Sequence, residues 1–363
     1  MASTVIDVHT HMLTYEWVEL LSKHGGRYTM KEVRGGLRAI HLDGAPFMTP
    51  VPEMFDWQQR IENMGKAGVD IAVVSLTCPN VYWGGPEISL RAARLMNDEM
   101  AKAQKQWPER IRWFASLPWQ HTDLALEELS RSLENGAVGA MVLANIDGKA
   151  LTDPSFAPIW KAIDSKNLPV LVHPTAPPGV AEMGMHEFQL TAPIGFTFDT
   201  TLAVGRCIYD GFFDRYPNLK LIASHGGGAL PYLIGRLDIC WHNIPAAAAK
   251  TKRPPSEYLR QVYADTVVFT QGALNLCVEA FGEDNVLYGS DYPHTIGDMS
   301  GCLGRVNCLS EKIKNRVRGT NARRIFRLSG PGSSQSRPSP APRCARPAAP
   351  ARAPASRRSR PGR

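Results

Sequence analysis

The chain is poor in the features that mark several common protein classes. No CxxC pair occurs among its seven cysteines, at positions 78, 207, 240, 277, 302, 308 and 344. An odd, dispersed set of this kind predicts reduced thiols and a cytoplasmic protein. Cys207, Cys240 and Cys277 lie in apolar, helix-like contexts and read as core residues. No stretch approaches the roughly 20 apolar residues of a membrane helix. The first residues lack a basic segment leading into an apolar run and a small-residue cleavage site, so no signal peptide is expected.

Acidic residues and lysine are missing from 331–363, which carries eight arginines. The formal charge of the whole chain is +7, so setting those eight aside leaves the body at −1. Basicity therefore belongs to the tail, and no nucleic-acid partner is expected for the body. The segment 329–363, rich in Pro, Arg, Ala and Ser, lacks the apolar residues needed to pack and is expected to be disordered.

What the chain does contain is 44% hydrophobic residues, and in the body they fall in alternating patterns. Short runs rich in Val, Ile and Leu predict strands at 5–8, 71–76, 111–117, 139–143, 169–172, 220–224, 262–265 and 286–290. Most are continuously apolar, as parallel strands buried on both faces are. Helix-period segments lie between them, at 53–68, 88–106, 123–135, 156–166 and 195–216, and 312–328 closes the domain. Eight strand–helix units with right-handed crossovers predict an α/β fold, a (β/α)8 TIM-like barrel spanning 1–328. Barrel closure is preferred to an open sheet because candidate ligands occur from the first strand to the last. The long connection from about 12 to 52 reads as an insertion capping the barrel mouth. A second, 174–192, carries Pro177, Pro178, Met183 and Met185 and reads as another wall of the site.

The chemistry collects at the strand ends. In Val5-Ile6-Asp7-Val8-His9-Thr10-His11, the two histidines are two residues apart, so a strand turns both to one face and Thr10 to the other. Three later apolar runs end in His173, His225 and Asp291. His225 precedes Gly226-Gly227-Gly228, which permits a tight turn and close backbone approach. Any one of these residues could simply bond a neighbouring loop. Five polar residues at the same end of four apolar strands would be costly to bury without a shared partner. Three imidazoles and a carboxylate can hold one divalent metal and leave a position open to water or substrate. Nitrogen and oxygen donors suit zinc, with manganese as the alternative.

The segments Asp7-Val8-His9-Thr10-His11, Val172-His173-Pro174, Ser224-His225-Gly226-Gly227-Gly228 and Ser290-Asp291-Tyr292-Pro293 together resemble the amidohydrolase superfamily. They are most similar to its decarboxylase branch, typified by aminocarboxymuconate-semialdehyde decarboxylase and the 2-hydroxybenzoate-type decarboxylases. The resemblance runs from about Val5 to Leu328 and includes Asn321-Ala322-Arg323-Arg324-Ile325-Phe326. It implies an oxygen-independent decarboxylase that cleaves a carbon–carbon bond with one metal and no organic cofactor. It also implies His9, His11, His173 and Asp291 as metal ligands and His225 as a general acid/base, with Asp291 or His225 handling the proton. Arg236 matches an arginine that pairs with a substrate carboxylate, in some members across a homodimer interface, and His294 would line the pocket. The implied substrate is a small aromatic or muconate-like carboxylic acid.

Two departures qualify the match. Met48 stands where the semialdehyde decarboxylase carries a second substrate-binding arginine, which points to a differently held acid. The fourth strand ends Leu143-Ala144-Asn145, without the bridging carboxylated lysine of binuclear hydrolases, and Lys149 follows too late to serve. One metal is therefore expected. The alternative activity is a mononuclear hydrolase of an ester, lactone or amide, for which the same ligands would serve.

Overall fold

A computed structural model describes residues 4–33 and 36–328. The disorder expected for 329–363 lies outside the described residues. The chain divides into the units Met1–Leu328 and Ser329–Arg363, and all that follows concerns the first.

Eight parallel strands form one sheet in the order β1 (Ile6–His11), β5 (Ile71–Ser75), β6 (Ile111–Ser116), β7 (Gly139–Leu143), β10 (Pro169–His173), β11 (Lys220–Ala223), β12 (Tyr263–Asp265), β13 (Val286–Leu287). The ring is closed by hydrogen bonds from Val8 N to Tyr288 O at 2.9 Å and from His11 N to Tyr292 O at 2.8 Å. This is the barrel expected from the alternation of strands and helices. Every residue of β5, β7 and β10 is buried, which explains why those runs read as continuously apolar. The helices pack outside, and large side chains such as Trp113, Phe114, Trp160 and Phe281 are fully buried. Each contributes on the order of 2–3 kcal/mol relative to exposure.

The boundaries differ from expectation in four places. β1 runs on to His11, so both histidines sit inside the strand, and its pairing with β5 shifts register between Asp7 and Thr10. The last barrel strand holds only Val286–Leu287, and Asp291 stands beyond it with a left-handed backbone, φ 59°. The helix expected over 195–216 breaks into Phe196–Tyr209 and Phe212–Arg215 at Gly211, φ 68°, where a Cβ would meet Lys250 O at 2.4 Å. The final helical segment is Glu311–Asn315, a wider turn over Arg316–Thr320, and Asn321–Phe326.

The insertion after β1 holds a helix, Tyr15–His24, and an antiparallel sheet of β2 (Tyr28–Glu32), β3 (Arg38–Leu42) and β4 (Ala45–Met48). The short hairpin β8 (Asn145–Ile146) and β9 (Lys149–Ala150) follows β7. A cavity of about 560 Å³ lies where these parts meet. Tyr28 and Leu42 line it from the insertion, Leu143 and Thr175 from the strand ends, and Pro178 and Glu182 from the second long connection.

Candidate metal centre

His9, His11, His173 and Asp291 are buried, and one donor atom from each lies within 4.8 Å of the others. Strand alternation brings His9 and His11 to the same face, with ring centroids 5.0 Å apart. Their rings lie 5.2 and 4.8 Å from that of His173. Asp291 Oδ1 completes the group, 3.2 Å from His11 Nε2 and 3.3 Å from His9 Nε2.

Each imidazole has its other nitrogen against an acceptor. His9 Nδ1 is 2.5 Å from Asp265 Oδ2, His11 Nδ1 is 3.2 Å from Leu76 O, and His173 Nδ1 is 2.8 Å from Pro174 O. A proton on Nδ1 leaves the Nε2 lone pair for a metal, which is how ligating histidines are usually oriented. His9 Nε2 is buried with no hydrogen-bond partner among the described residues, a costly arrangement that a cation would relieve. The residues fit one divalent ion.

Electrostatics follow from the crowding. Burial, with neighbouring imidazoles, holds His173 well below its usual range, and burial takes His11 down to about 3, so both stay neutral. With no metal bound, burial opposes a charge on His9, but Asp265 and then Asp291 overcome it and lift the ring to about 10, so that a metal at Nε2 would take the place of a proton. Burial also opposes ionisation of Asp291, yet His294, His11, His225 and His9 hold it well below the usual carboxylate range.

Of the other expected site residues, His225 faces the cluster with Nε2 3.6 Å from Asp291 Oδ2. Its backbone is left-handed, φ 55°, and Nδ1 has no partner among the described residues. Two non-glycine residues in that region, His225 and Asp291, place backbone strain at the site itself. His294 is packed beside His11, ring centroids 5.1 Å apart, with Nε2 3.0 Å from Thr77 Oγ1. Arg236 is exposed on the helix Leu230–Asn243 and is not one of the clustered donors.

Three buried charges escaped the sequence reading. Asp7 accepts from Ser290 Oγ at 2.5 Å and from the amides of His9 and Ser290, and burial raises it to about 6. Arg60, fully buried, donates to Thr10 Oγ1 at 2.6 Å and to His11 O, and lies 4.8 Å over the Tyr292 ring. Asp265 ends β12 as His11 and His173 end their strands, which was the one signal available for it.

The chain belongs to the Amidohydrolase family, whose pattern it matches over residues 6–328. Among characterised relatives it is 33% identical to the 2-amino-3-carboxymuconate-6-semialdehyde decarboxylase of Dictyostelium discoideum, covering 88% of this chain and 90% of that protein. It is 29% identical to a gamma-resorcylate decarboxylase of Rhizobium sp., over 75% of this chain and 87% of the other. The crystal structure of 5-carboxyvanillate decarboxylase LigW from Sphingomonas paucimobilis superposes with a TM-score of 0.78 at 26% identity, covering 90% of this chain and all of that one.

Proposed function

We propose that the chain is a metal-dependent, oxygen-independent decarboxylase of a small aromatic or muconate-like carboxylic acid, a carbon–carbon lyase. The observation that carries this reading is the convergence of His9, His11, His173 and Asp291, with no lysine at the end of β7. Asn145, two residues past that end, donates to both oxygens of buried Asp199 at 3.0 and 3.1 Å, while Lys149 is exposed. The relatives named above, all decarboxylases, favour carbon–carbon cleavage over hydrolysis.

His9, His11, His173 and Asp291 would hold the metal, which would supply positive charge toward the oxygens of the substrate. Zinc is the ion we assign, with manganese the alternative for the same donors. His225 and Asp291 handle the proton. Because its neighbours hold Asp291 ionised, His225 is the donor we favour. Protonation of the carbon that bears the carboxylate makes that carbon tetrahedral. The bond to the carboxylate then breaks, its electron pair restores conjugation, and CO2 leaves. No oxidant enters the balance.

His294 lines the pocket beside His11, and Arg236 pairs with the substrate carboxylate of a second copy in a homodimer. In support of the dimer, the helices Phe196–Tyr209 and Leu230–Asn243, linked by Tyr209 Oη donating to Leu237 O at 2.7 Å, expose Phe198, Leu202, Tyr232 and Ile239, and Arg236 is exposed on the second of them. We place the enzyme in the cytoplasm. Turnover in D2O tests the chemistry: one deuterium is expected at the carbon that lost its carboxylate. Ester or lactone cleavage without any deuterated decarboxylation product would replace this reading with hydrolysis.

A further inference from the structure

We infer that Asp265 is a positioning residue that fixes a metal ligand and the proton-handling histidine together. Its carboxylate is fully buried at the end of β12 and has four contacts. Oδ2 lies 2.5 Å from His9 Nδ1 and accepts from His225 N at 3.0 Å. Oδ1 accepts from the amides of Gly226 and Val267, each at 2.9 Å. One rigid group thus sets the tautomer of His9, leaving Nε2 free, and holds the left-handed turn that points His225 at Asp291.

The approach of His9 to Asp265 depends on an absent side chain. Gly289 lies between them, and a Cβ there would meet His9 Cβ at 2.9 Å and Asp265 Cβ at 3.0 Å. Any larger residue would wedge the two apart.

Asparagine has the same shape as aspartate but cannot satisfy all four donors. With its oxygen toward Gly226 and Val267, its NH2 faces His225 N–H and drives the His9 proton to Nε2, where a metal should bind. With its oxygen toward His9 and His225, the NH2 opposes the other two amides. The first orientation disturbs both His9 and His225; the second keeps their acceptor but leaves the Gly226 and Val267 amides unmatched and loosens the turn that holds His225.

The inference rests on the metal-centre reading, and its test separates the two. In Asp265→Asn, metal affinity measured by chelator competition is expected to fall about 10–100-fold, the usual effect of losing such a partner. The absorption spectrum of the cobalt-loaded variant should change, and kcat should stay depressed at saturating metal while KM moves little. Unchanged affinity, spectrum and kcat in a folded variant would overturn the assignment. Should that variant not fold, the wild-type metal-loaded protein decides by long-range 1H–15N correlation of its histidine rings. His9 carrying its proton on Nδ1 supports the assignment; a proton on Nε2 overturns it. If wild-type protein shows the tautomer and Asp265→Asn the affinity loss, yet wild type releases no CO2, Asp265 keeps its role and the decarboxylase reading falls.

Discussion

His11 Nε2 lies 3.2 Å from Asp291 Oδ1 although 280 residues separate them. Closing the barrel, which joins β1 to the segment after β13, makes that contact. His9 reaches the same point from within its strand and His173 from the end of its own, whereas His225 stands at the edge of the group. Removing a ligand and removing His225 should therefore have different consequences. His9→Ala and His173→Ala are expected to lose bound metal, read by elemental analysis after dialysis. His225→Ala is expected to retain it while losing most turnover. Equal metal content in all three variants would contradict the division of roles.

Arg60 has no carboxylate within salt-bridge distance among the described residues, yet it is wholly buried. Burial lowers it only to about 10, so it stays charged at neutral pH. Its donors hold Thr10 and the carbonyl of His11, and its guanidinium covers the ring next to Asp291. Arg60→Met should leave these acceptors without donors. The expected loss is about 2–6 kcal/mol in denaturant unfolding, at about 1–3 kcal/mol for each of the two buried groups left unmatched. A change below about 0.5 kcal/mol, the range of ordinary surface substitutions, would show that the guanidinium holds nothing in place.

Asp199 offers a test by pH. Burial raises its carboxyl to about 6 against an ordinary 3.8, despite hydrogen bonds from Thr175 N and Asn145. Below the ordinary value both folded and unfolded chains hold the proton. Between the two values only the folded chain keeps it, so rising pH favours unfolding, and above about 6 the penalty is constant. Wild type should therefore lose stability relative to Asp199→Asn as pH rises from 4 to 7, by on the order of 2 kcal/mol. Thermal unfolding of both metal-free proteins across that range reads the gap. A gap independent of pH would mean that the carboxyl titrates normally.

The barrel and the cluster of candidate ligands were legible because each candidate lies at the end of an apolar run, and a strand end needs no tertiary information to be recognised. Asp265 also ends such a run, but what it does depends on His9, 256 residues away. Arg60 sits in a helix-period segment, where an arginine reads as solvent-facing; only packing against β1 and Tyr292 buries it. The break at Gly211 was hidden because Phe212 and Phe213 continue the apolar periodicity past it. In the capping insertion, three strands of four or five residues mix polar and apolar side chains too evenly to give a clear period.

CO2 release from 2-hydroxyaryl and muconate-like acids, measured with metal-free, zinc-loaded and manganese-loaded protein, tests the central claim most directly. The expected result is release from at least one acid that requires metal and disappears in His225→Ala. Full activity in the metal-free protein, or no release from any acid by folded, metal-replete protein, would contradict it.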